Sequence, residues 1–213
     1  MAAFALVHGA WHGGWAWDLL RSELEARGHT VAAPDLPCED VDAGVEEDAQ
    51  LVPAADVVAG HSLGGLTIPL VPAQLHVYLC ALVPGSSFKG AFGPGFGDAR
   101  VRDELGRSYY PDPADGAREL QYPPETAELA QRLRRQAGKP SDGMADRLVP
   151  GGPAAYIVCT RDAAINPEWQ SGVARELLGI EPLELDAGHS PMLSHARELA
   201  GLLDLCAREA GIV

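Results

Sequence analysis

The stretch Val57-Val58-Ala59-Gly60-His61-Ser62-Leu63-Gly64 decides the fold of this chain. Apolar residues without polar alternation read as a buried strand. They run into a serine with a glycine two residues to either side. Residues 63–70 then read as a helix kept short by Pro69 and Pro72. A strand that turns this sharply into a helix needs small flanks, because a Cβ at Gly60 or Gly64 would meet neighbouring backbone. The strained turn lifts the Ser62 hydroxyl out of the sheet, where a base and a substrate can reach it.

Working outward, residues 4–8, 30–33, 77–83, 155–160 and 181–186 read as further strands, most of them unbroken apolar runs. Between them, residues 19–27 carry Leu20 and Leu24 at helical spacing with Gly28 as the stop, and residues 166–178 and 197–209 also read as helices. Residues 38–50 are acidic and read as a loop with a short helix. Unalternated strands separated by helices indicate an α/β fold with a mostly parallel, doubly wound sheet covered on both faces. Residues 86–152 break the alternation: they are rich in Gly and Pro and hold one amphipathic helix over 125–136. They read as a lid inserted into a core made of residues 1–85 and 153–213.

Composition bounds the function. The 213 residues, 46% apolar and 22% charged, make one ordinary globular domain. A formal net charge of −14 argues against nucleic acid or an anionic membrane surface as partner. It also turns away a strongly anionic substrate unless a local pocket overrides it. Cys38, Cys80, Cys159 and Cys206 are scattered without a C-x-x-C pair and read as reduced thiols in a cytoplasmic protein. The apolar N-terminus lacks a basic leader and reads as a core strand, and no apolar run is long enough to span a bilayer.

A serine hydroxyl needs a base to become a nucleophile, and the base needs a carboxylate to fix its tautomer. In doubly wound hydrolases these follow the serine as acid and then histidine, each after a later strand. Asp162 follows the strand at 155–160, and His189 follows the strand at 181–186. Of the other histidines, His61 flanks the serine and should point away from it. His12, His29, His76 and His195 sit near element ends, and Asp186 reads as a loop support. Two backbone N–H groups should form an oxyanion hole: Leu63 at the start of the helix after the serine, and Ala10 in the loop His8-Gly9-Ala10-Trp11-His12-Gly13-Gly14. Trp11, His12, Phe88 and Met192 are candidate pocket residues. Trp15 and Trp17 read as core, and Phe88, Phe92 and Phe96 either face a substrate or form the lid's own core. The basic run 132–135 reads as a solvated helix face.

With these residues in place the chain resembles the α/β-hydrolase family, in the branch of methylesterases and hydroxynitrile lyases. The likeness rests on Val7-His8-Gly9-Ala10-Trp11-His12-Gly13-Gly14-Trp15-Ala16-Trp17, Gly28-His29-Thr30-Val31, Gly60-His61-Ser62-Leu63-Gly64-Gly65, Tyr156-Ile157-Val158-Cys159-Thr160-Arg161-Asp162 and Gly188-His189-Ser190-Pro191-Met192. The resemblance implies an α/β-hydrolase fold, a triad of Ser62, Asp162 and His189, and an oxyanion hole from the Ala10 and Leu63 amides. The branch's lyases carry a lysine directly after the triad histidine and a threonine in the oxyanion loop. Here those positions are Ser190 and Ala10, which favours ester hydrolysis.

The expectation is a serine hydrolase that cleaves a small, largely neutral carboxylic ester or lactone through an acyl-enzyme on Ser62. No cofactor and no metal are called for. The partner is a small-molecule ester, with a homodimer left open. The alternatives are lyase or cyclase chemistry in the same site, or a ligand-binding receptor with little turnover.

Overall fold

A computed structural model describes residues 1–141, 143 and 151–213. The strands, in chain order, are β1 (Ala3–Val7), β2 (Thr30–Ala32), β3 (Ala55–His61), β4 (Ala73–Leu79), β5 (Val101–Arg102), β6 (Ser108–Tyr109), β7 (Ala154–Cys159) and β8 (Leu183–Leu185). The α-helices among the described residues are α1 (Asp18–Ala26), α2 (Val45–Leu51), α3 (Pro113–Glu119), α4 (Pro167–Glu176), α5 (Pro191–Ser194) and α6 (Ala196–Glu209). Six strands form one sheet in the order β2-β1-β3-β4-β7-β8, and every pairing in it is parallel.

Successive side chains of a strand point to opposite faces. Phe4 and Leu6 of β1 pack on one face with Trp17, Leu20 and Leu24 from the α1 side and Leu199 and Leu203 of α6. Ala5 and Val7 pack on the other with Ile68, Val71 and Ala174. Burial on both faces is why these strands are unbroken apolar runs rather than alternating ones. Each fully buried Leu or Phe here contributes about 1.5–3 kcal/mol. The chain order turns back between β1 and β3, and the crevice above their carboxyl ends is where such sheets bind ligands.

Several elements differ from the sequence reading. The segment after Ser62 forms two 3-10 turns, Ser62–Leu66 and Ile68–Leu70, instead of one α-helix. Gly64, Gly65 and Pro69 are poor α-helix residues, and the two glycines press against the backbone of Val7, His8 and Leu82. β4 begins at Ala73 and ends at Leu79, four residues before Val83. Cys80 turns it with φ +36°, so the apolar run 80–83 is buried loop.

The amphipathic segment at 125–136 is a 3-10 helix, Pro124–Arg132. Residues 134–137 leave it to pair elsewhere: the Arg134, Gln136 and Ala137 amides donate to the carbonyls of Trp11, Ser108 and Cys38. The basic run is accordingly not a solvated helix face. Arg132 lies over the Trp15 ring, Arg134 binds the Leu36 carbonyl and Glu39, and Arg135 lies over Tyr109 and binds Asp103. The antiparallel pair β5–β6 and helix α3, both between β4 and β7, have no counterpart in the sequence reading. Residues 142 and 144–150 of the expected lid lie outside the described residues.

Candidate active site

Ser62 stands at the carboxyl end of β3 with φ +52°, in the left-handed region that disfavours a side chain. Packing enforces this strain. A Cβ on Gly60 would lie 2.6 Å from Ile68 Cγ2 and 2.8 Å from the Gly64 carbonyl oxygen. A Cβ on Gly64 would lie 2.7 Å from both the Val7 and His8 carbonyl oxygens. Glycine at both positions lets the turn sit directly against β1, and the serine hydroxyl is carried outward.

The sheet brings Ser62, His189 and Asp162 together. The Ser62 hydroxyl lies 3.1 Å from His189 Nε2, and His189 Nδ1–H donates to Asp162 Oδ2 at 2.8 Å. Both the imidazole and the carboxylate are buried. Asp162 Oδ1 accepts from the amides of Ala164 (2.8 Å) and Ile165 (2.9 Å). Its Oδ2 also accepts from Gln170 Nε2 at 3.0 Å. Gln170, wholly buried on α4, is fixed in turn by the Cys159 amide and the Ile165 carbonyl. These bonds hold the carboxylate at one angle to the imidazole.

The backbone of His189 is gripped from both sides. Its N–H donates to Gln121 Oε1 at 2.9 Å, and its carbonyl accepts from His61 Nε2 at 2.7 Å and from the Cys80 thiol at 3.6 Å. His61 points away from Ser62, as its place beside the nucleophile requires, and reaches the His189 loop instead. Gln121 also binds the Asp162 loop, accepting from Ala163 N at 2.8 Å and donating to the Arg161 carbonyl at 2.9 Å. Sequence reasoning missed Gln121 and Gln170. Neither carries a local sequence signal; Gln121 lies just after α3 and adopts φ +55°. Asp186 pairs with Arg161 at 2.7 Å and accepts from Thr160, the loop support expected of it.

Buried histidines order the loop after β1. His8 Nδ1 lies 2.9 Å from the Gly9 carbonyl, and its Nε2 accepts from the Leu36 amide at 3.0 Å. A carbonyl can only accept, so Nδ1 carries the proton. That bond sets the Gly9–Ala10 peptide plane, and with it the direction of the Ala10 N–H. His12 Nδ1 likewise donates to the Ala10 carbonyl at 2.8 Å, leaving Nε2 to accept from the Tyr122 hydroxyl at 2.7 Å. Burial pushes His8 down to about 4 and His12 down to about 3, and it holds His61 well below the ordinary imidazole value. All three are neutral supports at physiological pH.

A cavity of about 340 Å³ opens beside Ser62, lined by Ala10 and Leu63 and by Trp11, Phe88, Phe92 and Phe96. Of the four candidate pocket residues, Trp11 and Phe88 are in its wall, together with Phe92 and Phe96. His12 and Met192 are not in the wall: Met192 is fully buried in the core, and His12 lies beneath the loop it orders. Trp17 is core and Trp15 packs against His12. All four cysteines are free and buried. Among the described residues no helix is long and apolar enough to cross a membrane.

The parallel sheet, the serine on its glycine-flanked turn and the acid and histidine on later strand ends define an α/β hydrolase. The alpha/beta hydrolase family pattern matches residues 4–202, and the chain belongs to that family. It is similar to methylesterase 3 of Arabidopsis thaliana, 27% identical with 93% of each chain covered. It is also similar to salicylic acid-binding protein 2 of Nicotiana tabacum, 29% identical over 95% of this chain and 96% of the relative. Among solved structures, a methylesterase, MES16, from Arabidopsis superposes with a TM-score of 0.77 at 21% identity, covering 98% of this chain and 99% of the other. A pyrethroid hydrolase from Sphingobium faniae superposes with a TM-score of 0.76 at 24% identity, covering 96% of each. At these identities the structural likeness carries the fold alone.

Proposed function

We propose that the protein is a serine carboxylesterase that cleaves a small carboxylic ester. The observation that carries this reading is the hydrogen-bonded series Ser62 Oγ, His189 Nε2, His189 Nδ1 and Asp162 Oδ2 at 3.1 and 2.8 Å, opening on a cavity. His189 takes the serine proton as Oγ attacks the ester carbonyl, then returns it to the departing alcohol oxygen. Water enters by the same route in reverse and releases the acid. Asp162 holds the imidazole in the productive tautomer and balances its positive charge. The Ala10 N–H donates to no backbone carbonyl among the described residues, and Leu63 lies in the first turn of its 3-10 helix, where leading N–H groups lack intrahelical acceptors. Both line the cavity, and together they receive the oxyanion. The described residues of the segment 86–141 act as the lid over this site, and the buried free thiols fit a cytoplasmic setting.

Methylesterases among the relatives support ester cleavage. The residue after His189 supports hydrolysis over lyase chemistry. Ser190 is fully buried and donates to the Leu120 carbonyl at 2.6 Å, so no cation stands there. The test is turnover of p-nitrophenyl acetate together with labelling by a fluorophosphonate. Ser62→Ala should lose the label and roughly a thousandfold or more in kcat. Full activity in that variant would overturn the reading.

A further inference from the structure

Among the described residues, the wall of the cavity beside Ser62 has a charge pattern opposite to that of the chain. The protein carries 30 acidic and 16 basic side chains. Yet the cavity wall among the described residues holds Arg100 and Arg102 and no Asp or Glu. Four other arginines between β4 and β7 are paired with carboxylates. Arg107 and Arg135 share Asp103, Arg118 pairs with Asp115, and Arg134 pairs with Glu39. Among the described residues no carboxylate pairs with Arg100.

Arg100 is instead held by groups that cannot neutralise it. Its guanidinium carbon lies 4.6 Å from the Trp11 ring centre and 4.8 Å from that of Phe96. Its single protein hydrogen bond among the described residues is long, 3.5 Å to the Phe96 carbonyl, and its Nε is buried without a partner. Glu119 binds the same loop, but its oxygens are taken by the amides of Gly97 and Ala99 and by the Tyr110 hydroxyl. Lying over two rings set at 69° to each other, the guanidinium is positioned by cation–π contacts that leave its charge unneutralised. An arginine preorganised in this way favours a planar, doubly accepting anion, and a carboxylate fits that description.

The location ties this donor set to the chemistry. Trp11 directly follows Ala10, and the Phe96 ring that carries Arg100 lies 6.2 Å from the His189 ring. Resting on the reading of Ser62 as an esterase nucleophile, we propose that the substrate is an ester that also carries a carboxylate. In this arrangement Arg100 binds the free carboxylate while the ester carbonyl sits at Ser62, as in the monoester of a short dicarboxylic acid. This reverses the expectation of a largely neutral ester drawn from net charge. The overall field repels anions at a distance, but the arginine decides inside the cavity.

The experiment compares monomethyl glutarate and monomethyl adipate with their dimethyl esters, using kcat/KM at pH 8 and fixed ionic strength. In the unaltered protein at least one monoester should exceed its diester by about tenfold or more, through a lower KM. In Arg100→Gln that preference should fall by about tenfold or more, and Arg100→Lys should keep part of it. A preference for the neutral diester in the unaltered protein overturns the proposal. So does an equal loss on both members of a pair in Arg100→Gln, which would mark a purely structural arginine. Should Arg100→Gln fail to fold, the unaltered protein still decides: glutarate should inhibit competitively and its neutral diamide should not, and equal inhibition overturns the proposal. Absence of turnover on p-nitrophenyl acetate and on every methyl ester would instead strike the esterase reading beneath it.

Discussion

Gln121 Oε1 accepts from the backbone N–H of His189 at 2.9 Å, so a side chain from the segment between β4 and β7 sets the height of the imidazole that faces Ser62. The same oxygen holds Ala163 at 2.8 Å, which ties the histidine loop to the loop of Asp162. A Cβ at Gly188 would lie 2.9 Å from Gln121 Cδ and would push the glutamine side chain out of this contact. A small displacement of a base is costly in rate while leaving substrate binding largely intact. Gln121→Ala should therefore lower kcat on p-nitrophenyl acetate by about 10–100-fold with KM changed far less. Gln121→Glu keeps the accepting oxygen and should recover part of the loss. Equal kcat in the alanine variant would remove Gln121 from the positioning network.

The carbonyl side of the same residue gives a second prediction. His61, His12 and His8 are buried, and burial holds each below the ordinary value of 6.5. The native state thus refuses protons that the unfolded chain binds. Their contribution is complete above about pH 6.5 and is lost as pH falls toward the folded values, about 4 for His8 and about 3 for His12. With three such groups, stability measured by urea unfolding should drop by up to about 4 kcal/mol per pH unit between pH 6 and 5. A flat unfolding free energy between pH 7 and 5 would contradict their neutral, buried state.

What the sequence made legible follows the same division. Ser62, Asp162 and His189 were readable because each follows an apolar strand, and parallel topology sends all such strand ends to one edge. Gly60 and Gly64 were readable because only a missing Cβ admits the backbone contacts seen there. Gln121 and Gln170 were not, since their partners lie 68 and 8 residues away and an isolated glutamine carries no periodic signal. The segment at 125–136 had helical spacing, yet the carbonyls of Trp11 and Ser108 capture its amides at Arg134 and Gln136. Met192 was misplaced because a methionine beside the histidine motif can face either the cavity or the core, and only packing decides.

Glycine substitutions should separate close packing from open space. Gly64→Ala drives a Cβ to 2.7 Å from two carbonyl oxygens of the β1 segment, which cannot yield as a flexible side chain would. It should cost about 1–3 kcal/mol or more and shift Ser62, with loss of esterase activity. Gly172 lies inside α4, and nothing lies within 4 Å of a Cβ built there. Gly172→Ala should raise stability by about 0.5–1 kcal/mol without touching activity. Matching melting temperatures for the two variants would refute this contrast.

Asp48 supplies a pH dependence of the opposite sign. Its carboxylate is buried on α2, and its one side-chain partner among the described residues is the Thr67 hydroxyl, at 3.4 Å. Desolvation, only partly countered by that hydroxyl, raises its pKa from 3.8 to about 6. Between those two values the native state keeps a proton that the unfolded chain has released. The neutral form's contribution is thus complete below about pH 4, declines as pH rises through 4 to 6, and is gone above 6. Asp48→Asn removes the buried charge while keeping an oxygen that Thr67 can reach. At pH 8 the variant should gain on the order of 1–2 kcal/mol after allowance for solvent screening, measured by urea unfolding. At pH 4 the two proteins should unfold alike. An equal gain at both pH values would mean that charge burial is not its cause, and a loss at pH 8 would mean that the ionised carboxylate is the form the fold prefers.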